Sequence, residues 1–329
     1  KIMLMIAYGT RPEWLKVRPL VEVYEEQKTP IRLLFTGQHD SLMERDFKYD
    51  YKIDIKKFDN RLDSIFMSIL GNDSVFESVT KVLVQGDTAS AYAVALASFH
   101  RKIEVVHLEA GLRSYDVENP YPEEFYRRCI SNLTKQNLCV SSVGKDNLES
   151  ERAPGTIHVV GNTVLDNIPN LETSYGSKIL ITMHRRENHE IMEKWFEELE
   201  NLAANNPQLQ FIFPVHPNPR VKKHVGKLKN VEVIDPLPHK ELLEVMSECR
   251  LVITDSGGIQ EESSFLKKKS VVCRKATERV EGLGTFSFLC QEPEHLKGLF
   301  NRLNKNPEID LPCPYGDGKS SQKIYEILN

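Results

Sequence analysis

Residues 81–98 read KVLVQGDTASAYAVALAS. The uninterrupted aliphatic run Val82-Leu83-Val84 suits a strand covered on both faces. Gly86-Asp87-Thr88 supplies a turn, and the alanine-rich run that follows supplies a helix. One such strand–turn–helix unit decides little, but the unit recurs on both sides of it. Upstream, the strand candidate Ile2–Ala7 runs into Gly9-Thr10-Arg11-Pro12 and a helix from about Glu13. Pro12 suits a first helical turn because it lacks only an N–H that would be unpaired there. The strand candidate Ile31–Phe35 ends at Thr36-Gly37. Downstream, Ile103–His107 precedes Glu109-Ala110-Gly111 and a helix over 123–134, and further strands are expected at Asn137–Val140 and Ile157–Val160. Repeated units of this kind build a parallel sheet with helices on both faces.

The pattern lapses over Asn167–Gly176 and then starts again. Strands are expected at Lys178–Met183, Leu209–Val215, Val231–Ile234, Leu251–Thr254 and Ser270–Cys273, separated by amphipathic helices such as Glu190–Ala204 and Lys240–Cys249. The chain of 329 residues is longer than one hydrophobic core usually serves. The expected organisation is therefore two successive α/β domains, 1–168 and 169–312, followed by a tail, 313–329. The formal charge of -4 gives no support to non-specific nucleic-acid binding. No apolar run reaches bilayer length, so the expected location is the cytoplasm. The six cysteines show no CxxC spacing and read as buried small hydrophobes in a reducing compartment. Histidines 39, 107, 184 and 216 lack ligand spacing, so no metal is expected.

In parallel sheets, ligands bind beyond the carboxyl ends of the strands. Gly9-Thr10-Arg11, Gly37-Gln38-His39, Gly86-Asp87-Thr88, Glu109, His184-Arg185-Arg186, His216 and Ser256-Gly257-Gly258 all fall at such ends, which implies two domains facing one cleft. Asp255-Ser256-Gly257-Gly258 opens a helix whose unpaired N–H groups suit phosphate oxygens, and Glu262, one turn on, suits ribose hydroxyls. Arg11 can meet a phosphate with its planar fork. Asp87, Glu109, Glu123 and Glu124 supply carboxylates for acid–base work, which needs two pKa values pushed apart. The same acids could instead cap turns and helices, and Arg127 could pair with them. There is no GxGxxG fingerprint, no phosphate loop and no nucleophile elbow.

Taken in order, these motifs closely resemble the non-hydrolysing UDP-N-acetylglucosamine 2-epimerases. The resemblance rests on Gly9-Thr10-Arg11-Pro12-Glu13 with Lys16, Gly37-Gln38-His39, Gly86-Asp87-Thr88 and 107–113. It continues through Pro122-Glu123-Glu124 with Arg127, Gly161-Asn162-Thr163-Val164 and His184-Arg185-Arg186-Glu187-Asn188. It ends with 214–219, 254–262, Thr277-Glu278-Arg279 and 314–318. It implies the GT-B architecture, two Rossmann-like domains with a central cleft and a C-terminal helix returning to the first, and usually a homodimer. It implies interconversion of UDP-GlcNAc and UDP-ManNAc without cofactor or metal, by loss of UDP to 2-acetamidoglucal and its re-addition.

On matched positions the resemblance makes Asp87, Glu109 and Glu123 the acid–base groups, with Lys16 and His216 assisting around the sugar and leaving phosphate. It makes Arg11, Ser256, Gly257, Gly258 and Glu262 ligands of UDP, with Arg127 and His184 also in substrate-binding segments. The hydrolysing branch, which releases ManNAc and UDP, typically carries Arg where Thr88 stands here. A GT-B glycosyltransferase would need an acceptor site and no proton abstraction. Three departures stand out: a shortened segment 40–70, Asp40-Ser41 after His39, and a shorter loop at 279–285.

Overall fold

The computed structural model describes residues 3–38, 47–118, 120–215 and 218–329. The chain divides into two compact units, the first comprising 1–167 with 318–329 and the second 168–317.

In the first unit, β1 (Leu4–Tyr8), α1 (Arg11–Glu26), β2 (Ile31–Phe35), β3 (Tyr51–Lys52), α2 (Arg61–Leu70), β4 (Lys81–Gln85) and α3 (Ala89–His100) lead to β5 (Glu104–Ala110). The unit continues with α4 (Glu123–Ser131), β6 (Gln136–Cys139), α5 (Ser142–Ser150) and β7 (Thr156–Val159). The strands form one parallel sheet in the order β3-β2-β1-β4-β5-β6-β7. Alternation along the strands sends residues to two cores, as a period of two requires. Leu4, Ile6 and Tyr8 pack with Trp14, Val17 and Leu20 of α1, whereas Met5 and Ala7 pack with side chains of α2, α3 and α4.

The second unit contains β8 (Lys178–Thr182), α6 (Met192–Ala204), β9 (Gln210–Pro214), α7 (Pro219–Lys222), β10 (Glu232–Ile234), α8 (His239–Glu248), β11 (Leu251–Thr254) and α9 (Gly257–Phe265). It ends with β12 (Ser270–Cys273), β13 (Ser287–Cys290) and α10 (Leu296–Lys305). Its sheet, also parallel, has the order β10-β9-β8-β11-β12-β13. Trp195, Phe196, Phe211, Phe213 and Phe300 dominate its core.

The last helix, α11 (Ser320–Leu328), belongs to the first unit. Asp166 accepts from the amides of Ser320 and Ser321 at 3.1 and 2.7 Å, so it satisfies N–H groups that the helix start leaves unpaired. Ile324 and Leu328 join the α1 core, and Tyr325 stacks edge-on against Tyr24. The sheet orders reverse direction between β1 and β4 and between β8 and β11. Such switch points are where doubly wound sheets bind ligands.

Candidate active site

The switch point of the first unit holds most of the expected acids. Beyond β1, β4 and β5 lies a cavity of about 420 Å³, large enough for a small-molecule site. It is lined by Thr10, Pro12, Glu13, Lys16, Gln38, Arg61, Gln85, Gly86, Asp87, Thr88, Glu109 and Glu123, together with Leu62 and Ile65. Lys16, one turn into α1, pairs with Glu109 Oε2, and Gln85 Nε2 donates to the same oxygen at 3.1 Å. Glu109 has φ of 66°, left-handed backbone unusual for a side chain of this size, and the β5–β6 register shifts at this residue. A bulge there re-aims the carboxylate, the service bulges commonly perform beside active sites.

Asp87 follows Gly86, whose φ of 70° suits glycine. The turn is held from behind. Gly86 N donates to Leu108 O at 2.9 Å, and His107 Nε2 bonds Gly86 O at 2.7 Å. Burial pushes His107 down to about 4, so the ring is neutral near pH 7 and this nitrogen carries the proton. Arg127 Nη1 lies 3.6 Å from Asp87 Oδ2, while its Nε lies 2.9 Å from Glu124 Oε2. Burial pushes Asp87 up to about 6; Arg127 and Lys16 pull it back, and Glu109 and Glu123 push it further. One carboxyl is therefore poised near neutrality beside another that is paired with a lysine.

Glu124 is fully buried and accepts from the amides of Ser114 and Tyr115, both at 3.0 Å, so it braces the loop before α4 as well as Arg127. Glu123 heads α4, half-buried, at the cavity wall. Arg127 thus reaches toward Asp87 from behind, with its guanidinium divided between two carboxylates. Arg11 begins α1, exposed, and is not among the residues that line the cavity.

The second unit places its expected residues at its own switch point. Ser256 is the N-cap of α9, accepting from Ile259 N, with Gly257 and Gly258 in the first turn. A side chain at 257 would stand 3.1 Å from the Arg279 guanidinium, so the glycine lets an arginine close over the helix start. Arg279 Nε donates to Glu261 at 2.9 Å, and Glu278, held down to about 2 by Arg279 and Arg274 against the effect of burial, pairs with both. Buried Asp255 accepts from the amides of His184 and Arg185 and from Asn188 Nδ2, at 2.9–3.1 Å, which fixes the turn after β8. His184 lines a mostly apolar cavity of about 220 Å³ with Met183, Pro214, Leu237, Leu242, Ser256 and Ile259. Glu262, buried, meets His239 Nε2 at 2.7 Å.

His216 lies outside the described residues, as do His39, Asp40 and Ser41. Among the described residues no group of three His, Cys, Asp or Glu side chains could hold a metal, and no helix is long and apolar enough to cross a membrane. Reading the sequence left Glu13, Gln85, His239 and Arg279 without roles. The Thr10-x-x-Glu13 spacing is a capping-box signature and could have flagged the first. His239 meets Glu262 only through the fold, and nothing local announces it.

A family model described as UDP-N-acetylglucosamine 2-epimerase matches residues 22–329. A "UDP-N-acetylglucosamine 2-epimerase" of Campylobacter jejuni is 36% identical over 371 aligned positions, covering 99% of this chain and 97% of that protein. The alignment is longer than the 329 residues here, so the relative carries insertions. Among solved structures, a putative UDP-N-acetylglucosamine 2-epimerase of Listeria monocytogenes superposes with a TM-score of 0.86 at 30% identity, covering 100% of this chain and 96% of that one. The UDP-GlcNAc 2-epimerase of Neisseria meningitidis bound to UDP-GlcNAc gives 0.83 at 32% identity, covering 99% of each chain. The shared architecture is GT-B, built from two Rossmann-like units.

Proposed function

This chain belongs to the UDP-N-acetylglucosamine 2-epimerase family, and we propose that it interconverts UDP-GlcNAc and UDP-ManNAc without net hydrolysis. The observation that carries the reading is the carboxylate cluster at the first switch point, where Asp87 is pushed up to about 6 while Glu109 is paired with Lys16. Inverting C2 requires a proton to leave one face and return to the other. A carboxyl poised near neutrality and a lysine-paired carboxylate in one cavity suit that exchange.

In the proposed elimination, a carboxylate takes the C2 proton and the C–H electrons form the C1–C2 double bond. The C1–O bond breaks with its electron pair passing to the β-phosphate of UDP. The products, 2-acetamidoglucal and UDP, stay bound until a carboxyl returns a proton to the opposite face of C2 and the phosphate oxygen re-attacks C1. Asp87, Glu109 and Glu123 carry these proton steps. Lys16 and His216 offset negative charge around the sugar and the departing phosphate. Arg11, His184 and the α9 start with Ser256, Gly257 and Gly258 hold the diphosphate, and Glu262 holds ribose hydroxyls. Arg127 acts through Asp87 on the geometry above.

The proposed working form is a cytoplasmic homodimer. The mutually packed helices α2, α3 and α4 expose Met67, Phe99 and Phe125, apolar surface that a second copy can cover. The test of function is product identity. Purified protein given UDP-GlcNAc yields UDP-ManNAc to a fixed equilibrium ratio on anion-exchange chromatography. Free ManNAc with equimolar UDP would assign the hydrolysing activity instead, and unchanged substrate would remove both.

A further inference from the structure

Glu13 has no part in the chemistry proposed above, yet its carboxylate accepts from three donors at the cavity wall. It is 2% exposed and reaches two strand ends at once. Its Oε2 accepts from Gly9 N at 3.1 Å and from the Thr10 hydroxyl at 2.7 Å, while its own amide donates to the Thr10 hydroxyl oxygen, so Glu13 and the N-cap of α1 hold each other. Its Oε1 accepts from the Thr88 hydroxyl at 2.8 Å. Thr88 is itself the N-cap of α3, taking the amide of Ala91 at 3.0 Å, so its single proton is directed at Glu13. One carboxylate therefore ties the caps of α1 and α3 together.

The residues those caps carry are the ones that matter. Asp87 precedes Thr88 in the chain, and Lys16, which pairs with Glu109, sits one helical turn beyond Glu13. We propose that Glu13 is a positioning residue, acting through Thr88 to hold Asp87 in register with the Lys16–Glu109 pair. The inference rests on the epimerase reading, because it assumes that Asp87 exchanges a proton with substrate. The groups that face Asp87 are Arg127 and Glu123 from α4, Glu109 from β5 and Lys16 from α1. A shift of the Asp87 turn changes its distance to all four.

Four variants test this: Glu13→Gln, Thr88→Val, Thr88→Ser and the Glu13→Gln/Thr88→Val double, with wild type and Asp87→Asn as references. An amide at 13 offers one acceptor where two hydroxyls need acceptors, and valine at 88 removes the hydroxyl at nearly constant volume. Both should lower kcat for UDP-GlcNAc by roughly 10- to 100-fold, the scale of a misplaced catalytic group, with KM changed by about twofold or less. In both, the inflection of kcat/KM near pH 6 should move by the same amount, and amides 86–92 should exchange hydrogen faster. Thr88→Ser keeps the hydroxyl and should restore kcat and the inflection. The double variant should be no slower than the slower single, as expected when both break one link.

Glu13→Gln or Thr88→Val with wild-type kcat and an unmoved inflection, whatever the melting temperature, overturns the proposal. If Glu13→Gln does not fold, the Thr88→Val and Thr88→Ser pair decides by the same criteria. A wild type that epimerises and an Asp87→Asn that does not, alongside a normal Glu13→Gln, sinks this inference alone. A wild type without epimerase activity sinks the functional reading with it.

Discussion

At the scale of single residues, Asp87 carries a conflict between stability and chemistry. Burial raises its pKa from 3.8 to about 6, so ionising it costs the folded state more than the unfolded. Below the ordinary carboxylate range both states are protonated and nothing is lost. As pH rises from about 4 to 6 the unfolded chain ionises first, stability falls, and the full penalty stands above pH 6. Asp87→Asn should therefore be more stable than wild type at pH 7, by roughly 1–3 kcal/mol in urea unfolding, with the gap closing toward pH 4. The same variant should lose about two or more orders of magnitude in kcat, the scale of a lost general acid or base. A variant with wild-type turnover would remove Asp87 from the proposed mechanism.

Arg11 offers a second residue-level test. It stands exposed at the first turn of α1, where a planar fork can meet an anion, and Arg11→Ala should weaken UDP binding by about 1.5–3 kcal/mol in isothermal titration. Asp87, Glu109 and Ser256 stood out in the sequence as polar groups beside glycines at the ends of strands, positions where turns and caps also favour them, as Ser256 caps α9. Glu124 was legible as an acid that Arg127 could pair with, and it does, but not as the acceptor of the 114–115 amides. That role depends on a loop folding back over ten residues.

At the scale of elements, the strand–turn–helix units read from apolar runs are present with ends moved by up to three residues. The start of α1 moves back to Arg11, because the Thr10 hydroxyl caps it there. The short strand β3, helix α2 within the shortened segment, and the pair β13 and α10 were not legible. β3 has two residues, and Ser287–Cys290 is a brief run that follows a glycine-rich loop. The bulge that turns Glu109 was equally invisible, since it is a property of the β5–β6 register. The return of α11 follows from the resemblance rather than from periodicity, and its packing gives a quantitative test. Ile324 is fully buried against α1, so Ile324→Ala should cost about 2–5 kcal/mol in denaturant unfolding. A loss under 1 kcal/mol would show that α11 contributes little to the first unit.

At the scale of the whole molecule, two parallel sheets of the same winding each offer a switch point, and the candidate residues divide between them by chemistry. Acids gather in the first unit, while the helix start and its arginine gather in the second. The exposed Met67, Phe99 and Phe125 make the proposed dimer testable: light scattering should report twice the 37.8 kDa chain mass, and Phe99→Asp should return it to one chain. A monomeric wild type would contradict that assembly.

The central claim, proton exchange at C2 by the carboxylate cluster, is tested most directly by turnover of UDP-GlcNAc in deuterated water followed by proton NMR. The account predicts deuterium at C2 of the UDP-ManNAc formed and, as equilibrium is reached, of the remaining UDP-GlcNAc. UDP-ManNAc that forms with protium retained at C2 would contradict it.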